Sequence, residues 1–254
     1  MSVFSNLMAS AEALGSVLLV IVDPDKHERS ALPELGRTLE RCGVDGIMVG
    51  GTYIFGDGLA EAVRLLKQAV TIPVIVFPGG SGMASEVVSE ADAILFLSLI
   101  SGRNPEYLIG EQMRAGLRVI QAGIESIPVG YMLLESEATR PIEEVTGTRA
   151  LQVNKPGTGL LVAAAGQCMG LKMIYLDRGS GAAEPVPVDY ARVLCDKLNI
   201  PVMVSGGLRE PVQLTALASV GVKIFALGSA IENHGTIEED ITQYVRAAHW
   251  RLSE

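Results

Sequence analysis

The sequence predicts an α/β protein folded as a closed (β/α)8 TIM barrel, in one domain over residues 1–254. Three observations predict it. Short apolar runs recur eight times, and stretches of helical period separate most of them. The runs are apolar at nearly every position, as parallel strands covered on both faces must be. Most of them exit into glycine, serine or aspartate, where a barrel carries its site. A doubly wound open sheet ranks second, because no Gly-X-Gly-X-X-Gly fingerprint follows the first run.

Residues 2–14 place Val3, Phe4, Leu7, Met8, Ala11 and Leu14 at helical spacing. Ser16–Val22 is the first strand and ends in Asp23-Pro24-Asp25-Lys26. Residues 28–42 predict a helix with Leu32, Leu35, Leu39 and Cys42 on one face. Gly46–Val49 is the second strand, ending in Gly50-Gly51-Thr52, and residues 57–69 form an amphipathic helix. Pro73–Phe77 is the third strand, ending in Pro78-Gly79-Gly80. Ala93–Leu97 is the fourth, ending in Ser98.

Only Pro78–Asp92 joins the third and fourth strands, which leaves room for a short helix at residues 83–89 at most. Either the helix is simply short, or the outer ring is thin there and the wall opens as an apolar slot. Pro105, a favoured first helical residue, opens a helix over 105–121. Ile127–Leu134 is the fifth strand and ends at Glu135. A polar, weakly patterned stretch follows. Residues 158–170 form a helix of small residues leading into the sixth strand, Met173–Asp177. Helices near 189–198 and 210–219 precede the runs from Val202 and Ile224, which exit in Gly206-Gly207 and Gly228-Ser229. Residues 237–252 form the last helix.

Composition narrows the function. A net charge of −9 without a basic run argues against a nucleic-acid partner. Cys42, Cys168 and Cys195 lack metal-type spacing and read as buried small residues of a reducing, cytoplasmic compartment. His27, His234 and His249 share no ligand spacing and default to the surface. No secretory signal and no apolar stretch of transmembrane length is expected.

The strand exits gather polar groups on one rim: Asp23, Asp25, Lys26, Thr52, Ser98, Glu135, Asp177, Ser180, Ser205 and Ser229. Gly179-Ser180-Gly181, Gly206-Gly207 and Gly228-Ser229 leave consecutive strands, so their backbone N–H groups predict one phosphate cup. A single such exit would be an ordinary turn. Asp177 ends its strand beside that cup and predicts a base for a phosphorylated substrate. Asp23 and Thr52 end neighbouring strands. They suit Mg2+ completed by water and substrate phosphates, or Asp23 simply caps the turn that follows it.

Asp23-Pro24-Asp25-Lys26, Gly50-Gly51-Thr52, Phe77-Pro78-Gly79, Ser98 to Pro105 and the stretch from Tyr175 occur in this order. Together they resemble the geranylgeranylglyceryl phosphate synthase family, including its bacterial members, over about Val17 to Glu232. The resemblance implies a barrel enzyme that joins a prenyl diphosphate, geranylgeranyl first among donors, to sn-glycerol 1-phosphate as an ether. It implies Mg2+ on Asp23 and Thr52, and glycerol phosphate on Tyr175, Leu176, Asp177, Arg178, Gly179, Ser180, Gly181, Gly206, Gly207, Gly228 and Ser229. It implies Asp177 as the base, where the family usually carries glutamate. It also implies a loose segment replacing the third helix beside the prenyl groove, and a homo-oligomer, dimer or hexamer. A different phosphorylated acceptor, such as 3-phosphoglycerate, is an alternative. A phosphosugar isomerase is another, and would need Asp25 or Glu135 as a second acid/base group.

Overall fold

The computed structural model describes residues 2–51, 58–79, 82–137, 141–228 and 237–253. Eight parallel strands close in chain order: β1 (Val17–Val22), β2 (Gly46–Val49), β3 (Val74–Val76), β4 (Ala93–Leu99), β5 (Glu125–Leu133), β6 (Met173–Asp177), β7 (Val202–Ser205) and β8 (Ile224–Leu227). The ring closes where β8 pairs with β1, from Val17 opposite Ile224 to Val20 opposite Leu227. Side chains alternate across each strand. Leu19, Met48, Ile75, Leu95, Val129, Tyr175 and Met203 fill the barrel. Leu18, Ile47, Val74, Ile94, Met132, Leu176 and Val204 meet the helices outside. Both faces are buried, which is why the strands read apolar throughout.

One helix lies outside the ring. Ser2 caps α1 (Val3–Leu14), its hydroxyl accepting from the Ser5 N–H at 3.2 Å. Glu125, at the start of β5, accepts from the N–H groups of Val3 and Phe4, a negative charge at the positive helix end. Leu7 and Ala11 then pack against the inner barrel residues, so α1 floors the barrel at the N-terminal ends of its strands.

The ring itself holds α2 (Leu32–Arg41), α3 (Gly58–Ala69), α4 (Glu111–Ala122), α6 (Pro156–Cys168), α7 (Val188–Cys195), α8 (Pro211–Ala218) and α9 (Ile237–Ala248), while the short α5 (Pro141–Thr146) precedes α6 at the strand C-terminal rim. Between β3 and β4 the described residues form turns and no helix, so the short helix expected at 83–89 is absent. The replacing segment is tied by side chains instead. Glu86 accepts from the Gly79 N–H at 2.6 Å, and Glu111 of α4 accepts from the Met83 N–H at 2.8 Å.

Other boundaries differ for local reasons. The helix expected over 28–42 begins at Leu32, behind two 3-10 turns at Pro24–Lys26 and Arg29–Ala31. Pro33 lacks an N–H and fits only the first helical turn, so no α-helix runs through it from upstream. The helix opened by Pro105 starts as a π-turn, Glu106–Gly110, before α4. α5 lies in the weakly patterned stretch and is too short to show a period. Cys168 is exposed rather than buried, at the end of α6. His249 is not at the surface: it is buried, with Nε2 at 2.8 Å from Asp45 Oδ2.

Candidate active site

Strands of a closed barrel deliver their inward C-terminal residues to one rim, and here those residues bound a single cavity of about 540 Å³. β6 contributes Tyr175 and Asp177, two residues apart and so on the same face. β5 contributes Tyr131 and β7 Ser205. Gly179, Ser180, Gly206 and Gly228 line the cavity past the ends of β6, β7 and β8.

Asp177 is the hub of this end. Its Oδ1 accepts from Ser205 Oγ and from the Gly179 N–H, both at 2.7 Å. Its Oδ2 accepts from the Tyr131 hydroxyl. Ser205 in turn accepts from the Tyr175 hydroxyl at 2.8 Å. Burying a carboxylate costs several kcal/mol. Three hydrogen bonds to a charged acceptor, each about 1.5–3 kcal/mol, offset that cost. Burial first, and then the Asp177 charge, push the Tyr175 phenol well above its ordinary value, against a smaller opposite effect of the Ser205 bond. Tyr175 therefore keeps its proton and serves as a fixed donor.

The exits of β6 and β7 touch through their backbones. Gly206 has φ +80°, and a Cβ there would stand 2.7 Å from the Gly179 nitrogen. A side chain would part the two loops, so the glycine here is a packing requirement. These loops turn backbone toward the cavity and suit an anionic group.

The other end is mainly apolar: Pro78, Met83, Leu97, Tyr107, Ile142 and Val145 line it, with Glu111, Gln112 and Thr146 among them. Pro78 and Met83 belong to the segment that replaces the third helix, so the cavity reaches the expected slot. Tyr107 donates to the Val145 carbonyl at 3.1 Å and Asn104 to that of Thr146 at 3.0 Å, which fastens α5 over this end.

Asp23, the first residue past β1, lines the rim. Its Oδ1 accepts from the Asp25 N–H at 3.1 Å, so it does cap the following turn. Lys26 Nζ lies 3.9 Å from Oδ2. The carboxylate leans over Gly51, where a Cβ would stand 2.8 Å from Oδ2. Among the described residues no three of His, Cys, Asp or Glu cluster. A rim carboxylate with backbone drawn close fits Mg2+, which takes few protein ligands and completes its shell with water and substrate phosphate.

The expected residues thus divide. Asp23, Tyr175, Asp177, Gly179, Ser180, Gly206 and Gly228 surround the cavity. Leu176 points outward into the helix layer. Arg178 is buried away from the cavity, its Nε donating to the Glu135 carbonyl at 3.0 Å and Nη1 to that of Pro185 at 2.9 Å. Gly207 packs against the Glu184 carbonyl, and Gly181 stands beyond the lining. Thr52 and Ser229 lie outside the described residues. Sequence reading missed Tyr131 as a site residue, although a tyrosine in an apolar run two residues before a strand end was the available signal. Ser205 was placed on the rim without its link to Asp177.

A model of the PcrB family matches residues 13–248. The chain belongs to the PcrB family. This PcrB chain is 38% identical over 221 residues to the geranylgeranylglyceryl phosphate synthase of Pyrococcus horikoshii, covering 87% of itself and 85% of that protein. It is 32% identical to the synthase of the same name from Chitinophaga pinensis, a bacterium, over 90% of each chain. Its fold matches the crystal structure of (S)-3-O-geranylgeranylglyceryl phosphate synthase from Thermoplasma acidophilum in complex with sn-glycerol-1-phosphate. The TM-score is 0.92 at 28% identity, over 98% of this chain and 99% of that one. The PcrB chain is an enzyme of this prenyltransferase type. No helix among its described residues is long and apolar enough to cross a membrane.

Proposed function

We propose that the protein transfers a prenyl group, geranylgeranyl first among candidates, from its diphosphate to sn-glycerol 1-phosphate, with Mg2+ as cofactor. One observation carries the reading: a single cavity has backbone and the Asp177 carboxylate at one end and a mainly apolar wall at the other. The polar end suits the phosphate of the acceptor, and the apolar end suits a chain whose burial is worth about 0.8 kcal/mol per CH2. The sn-glycerol-1-phosphate bound to the Thermoplasma relative supports the acceptor.

Asp177 is the base for the acceptor hydroxyl, and its three donors hold it in one orientation. Ser180, Gly206 and Gly228 position the phosphate. Leu97, Leu99, Ile142 and Val145 exclude water from the reacting carbon. Asp23, with Thr52 by family resemblance, would hold Mg2+, which when bound neutralises charge on the departing diphosphate. A phosphosugar isomerase is disfavoured, because neither Asp25 nor Glu135 lines the cavity opposite Asp177. We extend the proposal to a homo-oligomer. Ile109, Met113, Leu117 and Ile120, exposed along the π-turn and α4, support it, and light scattering tests it.

The deciding experiment incubates the protein with glycerol 1-phosphate, Mg2+ and prenyl diphosphates of graded length, and reads products by mass. An ether of glycerol phosphate is the expected product. Product only with 3-phosphoglycerate would replace the acceptor, and no ether with either would end the proposal.

A further inference from the structure

We infer that Tyr131 is a catalytic residue of this site, carrying the acceptor's hydroxyl proton to Asp177; the inference rests on the transfer reaction proposed above. The Asp177 carboxylate is used asymmetrically. Oδ1 belongs to the scaffold, bonded by the Gly179 N–H and by Ser205, which Tyr175 holds from behind. Oδ2 is bonded by Tyr131, from the neighbouring strand. Tyr131 pairs with Tyr175 in the β5–β6 register, and the two rings meet edge-on with centroids 5.2 Å apart. Packing therefore fixes the phenol, and both Tyr131 and Asp177 line the cavity.

An aspartate is one methylene shorter than a glutamate, and this one is drawn back further by its two bonds at Oδ1. Only 8% of Asp177 is exposed. A phenol can donate its own hydrogen while accepting another through its oxygen. Tyr131 is thus placed to extend the reach of Asp177 to a hydroxyl in the cavity. In the step, the acceptor oxygen forms a bond to the first prenyl carbon. The bond from that carbon to the diphosphate breaks, and the diphosphate leaves with the electron pair. The acceptor proton passes to the Tyr131 oxygen as the Tyr131 proton passes to Asp177 Oδ2. Tyrosine ends neutral and Asp177 ends protonated. Tyr175 cannot substitute, since its hydroxyl is committed to Ser205 on the Oδ1 side.

The test uses single turnovers with glycerol 1-phosphate, geranylgeranyl diphosphate and Mg2+. Tyr131→Phe keeps the ring contact and removes the relay. Its transfer rate is expected to fall at least about 100-fold, the low end for general acid–base catalysis. Glycerol 1-phosphate binding by calorimetry should stay close to that of the parent, which a merely structural tyrosine would not ensure. The parent itself supplies a second readout. Its rate against the deuterium fraction of the solvent should bow, because two protons are in flight. A parental rate in Tyr131→Phe overturns the relay and leaves the proposed reaction standing. A linear dependence on deuterium, or none, does the same without any variant, so an unfolded Tyr131→Phe does not block the test. A parent that makes no ether removes the reaction and the relay with it.

Discussion

Asp23 and Asp177 stand at the ends of two strands of one barrel and face one cavity, yet the chain holds them differently. Asp177 is inside, with donors from two strands and one loop on its two oxygens. Asp23 stands at the rim with its side chain 18% exposed, capping a 3-10 turn and near a lysine. The same residue type is made a fixed acceptor in one place and an approachable anion in the other. Each accepts from the N–H two residues on; what differs is that neighbouring strands add the Tyr131 and Ser205 hydroxyls to Asp177, whereas Asp23 has the nearby Lys26. A proton acceptor needs fixed geometry. A metal ligand must stay open to an ion that arrives with substrate.

Removing the charge of each separates the two proposed roles. Asp177→Asn keeps the shape and should lower transfer about 10²- to 10⁴-fold, the range for general acid–base catalysis, with glycerol 1-phosphate binding retained in calorimetry. Parallel loss of binding and turnover would break the comparison. Asp23→Asn gives up a charge-assisted contact worth about 1.5–3 kcal/mol, which is about 10- to 100-fold in rate. Excess Mg2+ should recover part of this loss and none of the loss in Asp177→Asn. Equal recovery, or no effect of Asp23→Asn, would mean that the rim carboxylate only caps its turn.

Asp177→Glu is a finer probe. Tyr131, Ser205 and Gly179 are spaced for the shorter side chain, and an added methylene strains such a site by about 1–3 kcal/mol. Transfer should slow several-fold; faster transfer would show that the native carboxylate is short of reach. Alkali gives the smallest effect. Tyr175 stays protonated in the fold, whereas tyrosine in the unfolded chain ionises near its ordinary value of 10.0. Its contribution to stability is therefore intact below pH 10 and is lost as pH rises further. Denaturant titrations should show stability falling above pH 10, with a shallower fall in Tyr175→Phe.

The fold was largely legible because buried parallel strands write themselves as apolar runs. The site was legible only in part. Tyr175 to Gly181 reads as one binding segment, but the alternation of a strand splits it: Tyr175 and Asp177 face the cavity while Leu176 faces the helices. Arg178, which the family resemblance implies as a glycerol phosphate residue, donates to the backbone of neighbouring loops. Tyr131 lies 46 residues from Asp177 in the chain. Only the β5–β6 register brings them together, and no local pattern encodes that register. Asp23 was open to two readings, and the turn cap is visible in the structure without displacing the other.

The floor made by α1 also bears on timing. Leu7 and Ala11 close the lower mouth, so among the described residues Asp177 opens to bulk water through the cavity at the rim. In the proposed reaction a prenyl chain and a glycerol phosphate fill that passage, and a proton taken up by Asp177 would wait there. Proton release to the medium is then locked to product departure. A pH indicator in the solution would follow the clearing of the cavity, and would lag behind the making of the ether.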